Sequence, residues 1–90
     1  MTRRKYEIEL TASAARSLRK LERPVQVRIA HAIDSLADDP RPRGAVKLAG
    51  DLDFYRIRAG DYRIIYSVTD EKLIVLVIAV GHRRDIYRRY

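Results

Sequence analysis

Residues 53–66 read Asp-Phe-Tyr-Arg-Ile-Arg-Ala-Gly-Asp-Tyr-Arg-Ile-Ile-Tyr, and their alternation decides the fold. Phe54 to Arg58 and Tyr62 to Val68 each carry the two-residue period and the aromatic and β-branched content of strands. Ala59-Gly60-Asp61 between them is a turn signal. A third strand signal, Leu73 to Val80, follows the turn residues Thr69-Asp70-Glu71-Lys72. Connections this short join antiparallel neighbours, so the three strands form a meander. The third is apolar at every position, which predicts a place inside the sheet. Tyr6 to Leu10, alternating Tyr, Glu, Ile, Glu, Leu, is a strand signal available to pair on its far side.

Upstream of the meander the period changes. Thr11 is placed to cap a helix, and Ala14, Leu18 and Leu21 recur at i, i+4, i+7 while Arg16, Arg19 and Lys20 fall elsewhere, so Ala12 to Leu21 reads as amphipathic. Pro24 sits where the first turn of a second helix tolerates a missing N–H. Val25, Ile29, Ala32, Ile33 and Leu36 give that helix one apolar face, and Asp38-Asp39-Pro40-Arg41-Pro42-Arg43-Gly44 ends it. The predicted fold is α+β: an N-terminal strand, a two-helix hairpin, a three-stranded antiparallel meander in one sheet, and a short C-terminal helix or tail. The helices pack on one face and leave part of the other open. Ninety residues hold one hydrophobic core, so residues 1–90 are read as a single domain.

Composition narrows the function. Nineteen Lys and Arg against twelve Asp and Glu give a net charge of +7, which favours an anionic partner. There is no cysteine, which removes disulfides, thiolate metal sites and cysteine nucleophiles and suits a reducing cytoplasm. The longest apolar run, Leu73 to Val80, is far shorter than a membrane span, and Met-Thr-Arg-Arg-Lys-Tyr lacks the apolar stretch of a signal peptide. Neither helix has a face basic and apolar enough for a membrane surface over core packing.

Strand alternation puts Arg56 and Arg58 on the face opposite Tyr55 and Ile57, with Arg63 able to join them from the next strand. The apolar strand then runs into Gly81-His82-Arg83-Arg84-Asp85-Ile86-Tyr87, delivering His, Arg and Tyr to one end of the sheet. Besides His31, which reads as a helix-side surface residue, His82 is the one other histidine of the chain, and imidazole is the side-chain type suited to proton transfer near neutrality.

Residues 53–66, the apolar strand and Val80-Gly81-His82-Arg83-Arg84-Asp85-Ile86-Tyr87 resemble the RelE family of bacterial toxins within the RelE/ParE superfamily. The likeness extends through the early strand, the helical hairpin and Lys47-Leu48-Ala49-Gly50. It implies the toxin of a type II toxin–antitoxin pair: a cytoplasmic, ribosome-dependent endoribonuclease that cuts mRNA in the A site, using the RNA's own 2′-hydroxyl and neither metal nor other cofactor. The implied partners are a cognate antitoxin, the ribosome and its mRNA, with operator DNA reached only through the antitoxin and no membrane.

Matched position by position, the family's basic strand pair falls on Arg56 and Arg58, its next-strand arginine on Arg63, and its C-terminal arginine and tyrosine on Arg83 and Tyr87. Lys47 and Arg84 complete the RNA-binding set with Arg56 and Arg58. Two departures stand out: the basic pair, often Lys in relatives, is Arg here, and the segment between Arg83 and Tyr87 is shorter than in some of them. Arginine stays protonated to pH ~12 and is a poor proton acceptor. Proton transfer therefore falls to His82, with Tyr87 as its partner or as a platform for a base. The implied catalytic set is Arg63, His82, Arg83 and Tyr87. Two other functions fit the chain: a ParE-like protein that poisons DNA gyrase, and a non-catalytic RNA-binding module.

Overall fold

In the computed structural model, which describes residues 5–48, 50 and 53–86, the chain runs β1 (Glu7–Leu10), α1 (Ala12–Arg19), α2 (Arg23–Ser35), β2 (Val46–Lys47), β3 (Phe54–Ala59), β4 (Tyr62–Thr69), β5 (Ile74–His82) and α3 (Arg83–Ile86). The strands form one sheet in the order β1-β5-β4-β3-β2. β5 is interior as its composition requires, parallel to β1 and antiparallel to β4. Val75 and Val77 have no exposed surface.

The helical hairpin follows from local chemistry. The Thr11 hydroxyl oxygen accepts from the Ala14 amide at 3.1 Å and caps α1, while its hydroxyl donates to the Ile78 carbonyl at 2.8 Å, fixing the helix start on β5. The fully buried Ala14 lets α1 approach the sheet closely. Pro24 lies in the first turn of α2, which begins one residue before it at Arg23. The Gln26 amide donates to the Leu18 carbonyl at 3.1 Å and joins the helices. Ile29, Ile33 and Leu36 then meet Tyr55, Ile57, Ile64, Tyr66, Val75 and Val77 in the main core.

Three features go beyond the predicted fold. A fifth strand, β2, pairs antiparallel with β3 through Val46↔Arg56 and Lys47↔Tyr55. Two residues carry no readable period, so this strand exists through its partner. In the β4–β5 pairing the register moves from Ile65↔Ala79 to Tyr66↔Val77, so Ile78 is an extra residue in β5. This bulge keeps Val77 and Val80 in the main core and sends Ala79 and Ile78 to the opposite face. There α3 covers them: Ile86 is 4% exposed and forms a second small cluster with Ile65 and Ala79. Gly81 permits this approach, since a Cβ at that position would lie 3.2 Å from Ile86 Cδ1. Among the described residues no helix is long and apolar enough to cross a membrane.

A candidate nucleic-acid interface

The β3–β4 hairpin sets the geometry of the basic face. Ala59 pairs with Tyr62 across a two-residue turn, and Gly60 supplies its φ of +62°. Arg58 lies directly opposite Arg63, and Arg56 opposite Ile65, so the three arginines share one face of the sheet while Tyr55, Ile57 and Ala59 are buried on the other. The Arg63 guanidinium donates from Nη1 to the Gly60 and Tyr62 carbonyls, both at 3.1 Å, which holds it against the turn.

Between α2, the segment Pro42–Gly44 and β3 lies a groove of about 540 Å³ lined by Arg43, Arg56, Arg58 and Arg63 together with small or apolar residues and Ser35. Among the described residues, four guanidinium side chains and no carboxylate line it. Walls of one charge focus the field on the space between them, so the groove favours a polyanion. A second groove, between β1 and α2, contains Asp34 and Asp38 and has no such bias.

The loop that carries Arg43 is held by a polar cluster. Arg41 donates from Nη1 and Nη2 to the two Asp70 carboxylate oxygens at 3.1 and 2.8 Å, and from Nε to the Tyr55 hydroxyl at 2.8 Å. Its guanidinium carbon lies 5.2 Å from the centre of the Tyr55 ring. These contacts, the hydrogen bond to Asp70 first and that to Tyr55 next, raise the guanidinium pKa further above its ordinary value. The Tyr6 hydroxyl donates to Asp70 at 2.6 Å, and the buried Tyr66 hydroxyl donates to the Pro40 carbonyl at 2.7 Å. Tyr55 and Tyr66 stack at 5.8 Å.

The structure brings Arg56, Arg58 and Arg63 to one groove. Arg83 lies at the neighbouring hairpin turn, where its amide donates to the Asp61 carbonyl at 2.8 Å and its Nε stands 3.8 Å from the Asp61 carboxylate. Lys47 pairs with Asp53 at 3.4 Å on the Tyr55 face of β2 and does not line the groove. Arg84 is exposed on α3, outside the groove lining. His82 pairs with Tyr62, its ring edge-on at 5.5 Å, and so lies on the face opposite Arg63. Its Nδ1 accepts from the Arg84 amide at 3.2 Å. In the neutral ring the hydrogen is then on Nε2, a donor. Tyr87 lies outside the described residues. Arg43 was not among the residues singled out from the sequence, although two arginines between prolines and a glycine in Arg41-Pro42-Arg43-Gly44 were its available signal.

Residues 8–87 match the family model of the ParE toxin of type II toxin–antitoxin systems, parDE. The chain is 36% identical over 87 residues to a RelE-like toxin protein of Escherichia coli, covering 92% of this chain and 90% of that protein. It is 36% identical over 80 residues to the mRNA interferase toxin RelE of Escherichia coli K12, covering 87% and 83%. A chain in the crystal structure of the toxin–antitoxin complex RelBE2 from Mycobacterium tuberculosis superposes with a TM-score of 0.78 at 28% identity, over 90% of this chain and 94% of that one. By the family match over residues 8–87 and these identities, the chain belongs to the RelE-type toxins of the RelE/ParE family of type II toxin–antitoxin systems.

Proposed function

We propose that this chain is an endoribonuclease that cuts mRNA on the ribosome, and that a cognate antitoxin silences it. The groove lined by four arginines is the observation that carries the reading. The kinship with an mRNA interferase supports it. In the reaction the 2′-oxygen of the RNA attacks the adjacent phosphorus while the bond from phosphorus to the 5′-oxygen breaks. The products are a 2′,3′-cyclic phosphate and a 5′-hydroxyl. One proton leaves the 2′-hydroxyl and one reaches the departing 5′-oxygen.

Arg56 and Arg58 grip the RNA backbone, and Arg63 with Arg83 neutralises the charge that grows on the phosphorane. Guanidinium donors thereby supply the charge stabilisation that a metal ion provides in other nucleases, which makes the cleavage metal-independent. His82, at the end of β5 beside Arg83 in the chain, is the proton carrier: as the imidazolium, with hydrogen on both ring nitrogens, it gives the 5′-oxygen its proton and is left as the neutral ring, and Tyr87 contributes a ring for stacking. Lys47 and Arg84 contact phosphates farther along the strand. Arginines give weak acid–base help, so alignment of the 2′-hydroxyl by the ribosome must contribute much of the rate.

The antitoxin reading draws on the complexes in which related toxins are found. A segment of opposite charge over Arg56, Arg58 and Arg63 would compete directly with RNA. The toxin acts as a single cytoplasmic domain and reaches operator DNA only through that partner. A second reading, inhibition of DNA gyrase, is favoured by the ParE description of the matching family model. Inducing the chain alone and mapping mRNA 5′ ends separates the two. New ends confined to translated regions, and lost when initiation is blocked, are expected; intact mRNA with gyrase trapped on cleaved DNA would support the second reading.

A further inference from the structure

Arg43 and its support are unused by the mechanism above. Arg43 lines the same groove as Arg56, Arg58 and Arg63, yet it comes from the α2–β2 loop rather than the sheet. Pro42 to Ala45 form a tight turn in which the Ala45 amide donates to the Pro42 carbonyl at 3.0 Å and Gly44 takes a φ of +96°, as the third position of a type II turn requires. Arg43 occupies the corner of that turn. Immediately before it, Arg41 is locked by the two-pronged bond to Asp70, its amide donates to Asp39 Oδ1 at 3.2 Å, and Tyr66 holds the Pro40 carbonyl. Neither the Arg43 nor the Arg58 side chain makes a hydrogen bond or ion pair among the described residues. The loop backbone is therefore anchored from two sides while the Arg43 side chain stays available.

From this we infer that Arg43 is a further phosphate-binding residue for the RNA strand, and that Arg41 and Asp70 are positioning residues that hold it at the groove. The inference rests on the nuclease reading, because a strand whose scissile phosphate meets Arg63 continues past Arg58 and Arg56 into the Arg43 end. A polynucleotide fits better than an acidic peptide. The guanidinium fork matches a phosphate in two places, and the exposed Val46 side chain offers apolar surface for a ribose or base edge.

Asp70 makes the positioning role testable by sign. Asp70→Asn adds one unit of positive charge to an already basic protein, so general electrostatics predicts tighter RNA binding. Loss of the clamp predicts weaker binding.

The probe is a fluorescein-labelled hexaribonucleotide with 2′-O-methyl groups, which cannot be cut, followed by anisotropy from 20 to 200 mM KCl on the folded full chain. Arg43→Gln should weaken binding about five- to tenfold at low salt. It should also reduce the slope of log affinity against log salt by about 0.7, the signature of one lost phosphate contact on a single strand. Asp70→Asn should weaken binding about threefold, and Asp70→Glu should restore most of it. On programmed ribosomes Arg43→Gln should raise the half-saturating toxin concentration more than it lowers the maximal rate.

Arg43→Gln with wild-type affinity and slope would overturn the inference, as would an Arg43→Gln defect confined to antitoxin binding. Tighter binding by Asp70→Asn would overturn the positioning role. The Arg43 side chain has no partner among the described residues to lose, so its variant carries the test even if Asp70→Asn fails to fold. Wild-type protein that leaves ribosomal mRNA intact while showing the Arg43-dependent slope would defeat the nuclease reading and keep the groove. Normal ribosomal cleavage with an unaffected Arg43→Gln would defeat this inference alone.

Discussion

Tyr66→Phe removes one atom from the best-buried aromatic among the described residues, and its consequences are calculable. Tyr66 has no exposed surface, and its hydroxyl donates at 2.7 Å to the carbonyl of the buried Pro40. Phe keeps the stacking with Tyr55 but strips that carbonyl of its donor. A buried acceptor left unsatisfied costs about 1–2 kcal/mol. For a chain of this size that lowers the melting temperature by roughly 5–15 °C. The hydroxyl also leaves a mark on pH dependence. Burial first, and the neighbouring Tyr55 second, push its pKa up from 10.0 to about 12. Between those values the unfolded chain releases the proton while the folded chain keeps it, so stability is full below pH 10 and declines as pH rises toward 12. At pH 11 the loss through this group is about 1.4 kcal/mol. Phe has no proton to lose, so the gap between wild type and Tyr66→Phe should narrow by about that amount between pH 8 and 11. Urea denaturation followed by circular dichroism across this range measures it. Equal stability at pH 8, or a gap that stays constant to pH 11, would refute the assignment of this hydroxyl as the anchor of the loop.

Other substitutions probe the groove and its surroundings. Arg63→Ala and Arg83→Ala should each remove roughly 2–4 kcal/mol of transition-state stabilisation in single-turnover cleavage. Both should leave the fold intact: the Arg83–Asp61 pair is more than half exposed and contributes little stability. Folded variants that cut at the wild-type rate would remove them from the site. His82→Gln should slow cleavage and flatten its pH dependence near neutrality; weaker binding with an unchanged profile would make His82 a contact residue only. The complex with the antitoxin should weaken as salt is raised, and Arg58→Ala should reduce that dependence; affinity indifferent to salt would place the antitoxin elsewhere.

What could be read from the sequence follows from where a period exists. Phe54 to Val68 alternates with one buried face, and a slip of one residue would bury Arg56 and Arg58, so the hairpin and the shared face of Arg56, Arg58 and Arg63 were determined there. Thr11, Pro24 and the apolar faces of α1 and α2 were equally plain. Leu73 to Val80 is different: an unbroken apolar run has no alternation to lose, so it conceals the extra residue at Ile78. That bulge decides where His82 goes. Uninterrupted alternation from Val77 would put His82 on the Arg63 face, whereas the bulge pairs it with Tyr62 on the other. Val46–Lys47 and the Arg41–Asp70 bond were hidden for another reason. Both depend on partners distant in the chain, and loop residues carry no period that points to them.

Purified toxin on ribosomes programmed with an mRNA bearing a single 2′-deoxynucleotide in the A-site codon tests the central claim most directly. The deoxyribose removes the nucleophile and leaves every phosphate in place. The arginine-groove mechanism predicts rapid cleavage of the all-ribose message, without added metal beyond that needed by the ribosome, and no cleavage at the substituted linkage. Cutting that persists there would contradict attack by the RNA's own hydroxyl. Intact all-ribose mRNA, with gyrase trapped on cleaved DNA by the same preparation, would contradict the nuclease function itself.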